Sequence, residues 1–243
     1  MRCDIGIMKR SYIVIFIIVL SVFLFAGCGF SEKAKYERQG KKNAIQYIVD
    51  KYGFKPSVKN VECQVYNGSP IPFSTSSATG YVYVKMEYND EIFYVFISGL
   101  YQNTDGIDNY QINEVEDAIN EKLHDMVPDM IHMDCYLGNM KVSPDDSYYG
   151  MMSLKYDGNN LKEVLEDMQM SQIIVSLANS DISGITKELI DETFGSKTEI
   201  LFVNYKSEED YKKAENTTYG LTEYALSDGI EKNDAYIVEY KEF

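Results

Sequence analysis

Apolar and polar positions in the first part of the chain fall into a helical repeat and then into strict alternation. Ala44, Tyr47, Ile48 and Tyr52 recur near i, i+3, i+4 spacing, which predicts an amphipathic helix over residues 33–52. Gly53 supplies its stop. Val61, Cys63 and Val65 alternate with Glu62, Gln64 and Tyr66, the period of a half-buried strand. Residues 68–80, rich in Pro, Ser and Thr, read as a loop. Residues 81–88 and 91–98 then make a hairpin about Asn89-Asp90, residue types that tolerate the left-handed backbone of a tight turn. Ile112, Val115, Ile119 and Met126 form the stripe of a second helix over 112–126, which Pro128 closes.

The second half alternates more finely. Ile131, Met133, Cys135 and Leu137 are expected on one strand face. A loop over 143–147 leads to a strand over 149–156. Asn160 with Glu163 has the form of a capping box, opening a helix that carries Leu161, Val164, Leu165 and Met168. A buried strand over 173–177 follows, then a helix marked by Ile185, Leu189, Ile190 and Phe194 and closed by Gly195. Residues 198–205 read as a strand, and Ser207 caps a short helix reaching Ala214. Two last strands, over 219–226 and 235–241, flank an Asp228-Gly229 turn. The pattern predicts an α+β fold: two small subdomains, residues 36–127 and 129–243, with mainly antiparallel sheets packed by helices.

The first 30 residues follow a different rule. Lys9 and Arg10 precede an apolar run, Tyr12 to Phe25, that only Ser21 interrupts; Ala26 and Gly27 then supply small residues before Cys28. This is the layout of a secretory signal peptide, with an apolar run short for a membrane span. The segment Leu24-Phe25-Ala26-Gly27-Cys28 resembles the lipobox of bacterial lipoproteins, departing from it at Phe25, where Leu is usual. The resemblance implies diacylglycerol on the Cys28 sulfur and cleavage before Cys28. Residues 1–27 would be removed, and 28–35 would form a lipidated tether. Two acyl chains give stable membrane attachment where one does not. Met8-Lys9-Arg10 is a more typical leader start than Met1, so translation is expected to begin at Met8, without Cys3. Ala44 to Gly53, with its Lys-Tyr-Gly ending, and Asp108-Asn109-Tyr110 resemble features of uncharacterised lipoproteins of Gram-positive bacteria. That likeness implies no activity.

Charge narrows the partners. The chain carries a formal −15. The leader holds Arg2, Lys9 and Arg10 against Asp4, so the part from Cys28 onward carries −17. An acidic surface repels nucleic acid and anionic lipid, leaving lipid on Cys28 as the expected link to the membrane. Within that part, Cys63 and Cys135 either pair in one disulfide or stay as buried thiols. The 21 tyrosines are expected to cover half-buried sheet surface.

The chemical motifs are sparse. His132 and Asp134 share a strand face, but two ligands fall short of a zinc site. Asn103, Asp105, Asp108 and Asn109 crowd one loop without calcium-loop spacing and read as turn residues. Cys135 and His132 point to opposite faces of a strand, which separates thiol from base. The pairs Glu114/Asp117 and Glu163/Asp167 read as solvated helix faces. Pro70, Ile71, Pro72 and Phe73 stand out in the long loop as a candidate interaction segment. No catalytic, cofactor-binding or metal residue is expected. The expected function is that of a membrane-anchored, extracytoplasmic, non-enzymatic binding protein with an envelope protein or peptide as partner. The alternative is a carboxylate- or metal-dependent hydrolase acting on envelope material. A solute-binding lipoprotein serving a transporter would need two parallel-sheet lobes, which the pattern does not show.

Overall fold

The computed structural model describes residues 32–66, 77–102, 104–141, 148–168, 171–215 and 237–242. The chain divides into two compact units, Met1–Gly106 and Ile107–Phe243.

In the first unit, helix α1 spans residues 32–52. It buries Gly40, Asn43, Ala44, Tyr47 and Ile48, an i, i+3, i+4, i+7, i+8 stripe with a polar residue inside it. Gly53, at φ 82°, ends the helix, its N–H donating to the Val49 carbonyl (2.9 Å). Strands β1 (Ser57–Tyr66), β2 (Ser77–Tyr88) and β3 (Glu91–Ser98) form one sheet in that order, and β4 (Gly106–Asp108), at the point where the units divide, follows β3 in it. β2 and β3 pair antiparallel through the expected hairpin, with Asn89 at φ 50° and Asp90 at φ 65°. The inner face buries Cys63, Val82, Val84, Met86, Phe93, Val95 and Ile97, and α1 lies against it. The approach is close at Gly40, where an added Cβ would meet Val82 at 2.7 Å, and at Gly99, where it would meet the Tyr36 carbonyl at 2.4 Å. The buried Asn43 is satisfied: its Nδ2 donates to the carbonyls of Ser98 (2.7 Å) and Tyr101 (2.8 Å), and its Oδ1 accepts from Gln39 (2.8 Å). The outer face carries tyrosines, as expected. Tyr81 stacks on Phe96 at 5.3 Å, and Tyr83 tilts against Phe96 at 4.7 Å.

The second unit is built on a sheet ordered β10-β9-β8-β5, from β5 (Met130–Leu137), β8 (Ser171–Ala178), β9 (Thr198–Tyr205) and β10 (Ile237–Glu242). Pairing is antiparallel for β10–β9 and β5–β8, and parallel for β8–β9, which α4 (Lys187–Phe194) connects. β8 and β9 are buried almost continuously because both sheet faces are covered. One face packs on α2 (Ile112–Met126), α3 (Leu161–Asp167) and α4 through Val115, Ile119, Leu123, Leu165, Ile190 and Phe194. The other meets Tyr211 of α5 (Glu208–Glu215) through Leu201, Val203 and Tyr205. A two-stranded ribbon of β6 (Asn139–Lys141) and β7 (Tyr148–Gly150) completes the unit. Gln111 ties the start of α2 to Tyr156, donating to its carbonyl and accepting from its N–H, both at 3.0 Å. Asn204 clamps Ser180 in the same way, at 2.7 and 3.1 Å.

The α+β architecture is as expected, and several details differ. The division falls at Gly106, ahead of α2 rather than after it, since the α2 stripe belongs to the second core. Asn160 is the N-cap of α3 but makes no side-chain capping bond. Its Oδ1 accepts from Asp157 N–H (2.9 Å) and its Nδ2 donates to the Lys155 carbonyl (2.9 Å), so the preceding turn captures the side chain. Ser207 does cap α5, accepting from Asp210 N–H at 3.1 Å. The strand expected over 149–156 stops at Gly150; beyond it Met152 makes only an isolated bridge to Asp108. Pairing of β5 with β8 is irregular between Met130 and His132. That bulge turns Ile131 to the α5 side, while Met133 and Cys135 pack on the main core. Residues 1–31 with Cys28, the segment Pro70, Ile71, Pro72 and Phe73, the 143–147 loop and the 219–226 strand lie outside the described residues.

Candidate functional site

A single turn of chain builds a depression in the second unit. Along α2, Val115, Ile119 and Leu123 form one ridge, each buried in the core. Glu116, Asn120 and His124 form the next, offset by one residue, with Asp117 beside them. Residues 127–129 reverse the chain: the Val127 N–H caps α2 on the Leu123 carbonyl (2.7 Å), and Met130 N–H closes onto the Val127 carbonyl (3.1 Å). β5 therefore returns beside the helix it follows. Between the two lies an open groove of about 300 Å³, lined by Glu116, Asp117, Asn120 and His124 from the helix and Met130 to Met133 from the strand. Both histidines of the protein line it.

The electrostatics of the groove are acidic. Burial raises the Glu116 carboxyl above its ordinary value, and the neighbouring charge of Asp117 adds to the rise. On β5, His132 Nε2 and Asp134 Oδ1 sit 3.2 Å apart on an exposed face, as expected from their spacing. Cys135 points the other way, and burial, then the charges of Glu116 and Asp134, push its thiol up to about 12. It stays protonated near neutrality and so is a poor nucleophile or ligand there. Cys63 is also a free, buried thiol. Among the described residues, no three His, Cys, Asp or Glu side chains converge to hold a metal ion.

Glu116 makes a pH prediction. Its raised value means that the native state holds this proton more tightly than the unfolded chain does. Stability is therefore lost as pH rises from about 4.3, the ordinary glutamate value, through the raised native value. Glu116→Gln is expected to unfold at higher temperature than the parent at pH 7, with the difference vanishing below pH 4. Thermal melts at the two pH values check this.

Three other sequence candidates take structural roles. Asp108 is fully buried, its Oδ1 accepting from Tyr110 N–H (2.9 Å), which is turn chemistry. Glu114 accepts from Gln111 (2.8 Å), and Asp167 accepts from the Ser153 hydroxyl. Of the paired carboxylates, only Asp117 reaches the groove. The 116/120/124 ridge facing a chain reversal at Pro128 was the available signal for this site. Among the described residues no helix is long and apolar enough to cross a membrane.

The chain matches no family model and no curated protein. A solved structure, that of a DUF5037 family protein from Ruminococcus gnavus ATCC 29149, is similar over 83% of this chain and 89% of its own. The identity is 13% and the TM-score 0.27, a likeness that carries no argument.

Proposed function

We propose that this chain is an extracytoplasmic lipoprotein, anchored by diacylglycerol on Cys28, that binds an envelope protein or peptide without transforming it. The observation that carries the anchor is the order of parts: Lys9-Arg10, the apolar run, then Leu24-Phe25-Ala26-Gly27-Cys28. From Cys28 to residue 32, the first described residue of α1, four residue steps span at most ~14 Å. The first unit would then stand close to the bilayer. Binding is supported by the α2–β5 groove, where hydrogen-bonding and acidic side chains line a concave surface and the nearest thiol is held protonated. Pro70, Ile71, Pro72 and Phe73 are proposed as a second contact segment. Expression of the Cys28→Ala variant in a lipoprotein-processing bacterium tests the anchor. The parent is expected in the membrane fraction and the variant outside it. Equal membrane retention of both would remove the thioether from the account.

The raised carboxyl of Glu116, in the same groove as His124 and His132, favours a second reading, a hydrolase with Glu116 as general acid. It requires turnover of wall peptides or glycans that Glu116→Gln lowers at least about a hundredfold. Binding without any cleavage products separates the two.

A further inference from the structure

The second sheet ends at β5. β8 pairs with one side of this strand, and among the described residues no strand occupies the other. An uncovered edge presents N–H and C=O groups spaced for one more strand. From Gly138 onward the chain supplies its own cover, since Met151 N–H donates to the Gly138 carbonyl (3.3 Å). Among the described residues the open stretch is thus 131–135. α2 stands beside it, and Glu116, Asp117, Asn120 and His124 form the far wall of the groove. A strand edge facing a helix wall is suited to an extended peptide: the main chain extends the sheet, and alternate side chains enter the space below the helix.

Charge selects the occupant. The groove carries Glu116 and Asp117 on its wall and no lysine or arginine in its lining. Asp134 lies further along the strand edge, beside His132. A second copy of the processed chain would bring the same acidic wall and a further −17 of like charge to the contact, which opposes pairing of β5 with β5. A basic side chain meets the opposite sign there, and its charge would offset the desolvation of Glu116.

We propose that residues 131–135 of β5 take up one extended segment of a partner protein as an added strand, with a lysine or arginine of that segment entering the groove against Glu116 and Asp117. The inference rests on the binding reading of the groove and is independent of the anchor.

The test uses the full chain in detergent and a pool of acetylated heptapeptides randomised at alternate positions between fixed valines. Retained peptides are expected to be enriched in lysine or arginine at one position. Glutamate at that position, or N-methylation of alternate backbone amides, should weaken a selected peptide at least about tenfold, and so should Glu116→Gln with Asp117→Asn, at unchanged circular dichroism. Amide exchange should slow at residues 131–135 on binding. No enrichment, indifference to N-methylation, protection elsewhere, or dimerisation through β5 would each overturn the proposal. Cleavage of a bound peptide would leave the docking mode standing and remove the non-enzymatic reading. Failure of all peptides with Cys28→Ala still released from membranes would remove the docking mode alone.

Discussion

Replacing Phe202 with alanine is expected to cost about 3–5 kcal/mol of folding stability. Phe202 lies in the middle of β9 and is fully buried. Its ring belongs to the cluster that joins the sheet to α2, α3 and α4. β9 is held on both sides, with Phe202 opposite Val175 of β8 and Lys241 of β10. The backbone therefore has little freedom to move into the void, and the removed ring leaves most of its volume empty. Leu189, on the outer side of α4 and 38% exposed, is the control; its alanine variant is expected to lose under about 1 kcal/mol. Urea unfolding of the full chain reads both. A Phe202→Ala loss as small as the control's would mean that the second sheet does not form this core.

Gly40→Leu is expected to cost about 2–3 kcal/mol in the first unit. Intrinsic preference argues the other way, since a glycine inside a helix is worse than alanine by up to about 1 kcal/mol. Packing decides the sign. A Cβ at position 40 would sit 2.7 Å from Val82 Cγ2 and 2.8 Å from Val82 Cβ, closer than the helix can tolerate without moving off the sheet. Val82 is itself fixed in β2, between Cys63 of β1 and Ile97 of β3. Gly40→Ala gives the sharper sign test: it should lower the melting temperature despite the better propensity, and a rise would show that α1 does not approach the sheet so closely.

The same two positions show what was legible in the sequence. Elements set by local chemistry could be read: Asn89-Asp90 demanded a tight hairpin, and the stripe from Ile112 to Met126 with Pro128 behind it bounded α2. The buried run of β9 was legible because a strand covered on both faces is apolar throughout. Gly40 was not, because its reason is a neighbour far along the chain. Ile131 was placed on the wrong face because a bulge changes parity without any mark in the hydrophobic pattern. Asn160 was misread because two local partners compete for one side chain, and the Asp157-Gly158-Asn159 turn takes it. The groove followed the same division. The His132–Asp134 pairing is a period-two fact and was visible. That α2 and β5 line one groove depends on where the chain reverses, and a pattern read one element at a time does not contain it.

Anchoring at Cys28 is the claim on which the proposed function depends, and intact-mass analysis of protein recovered from the membranes of its bacterial host tests it most directly. The account predicts a chain that begins at Cys28 and carries a diacylglyceryl thioether on that residue. A free sulfur at Cys28, or a leader still attached, would contradict it.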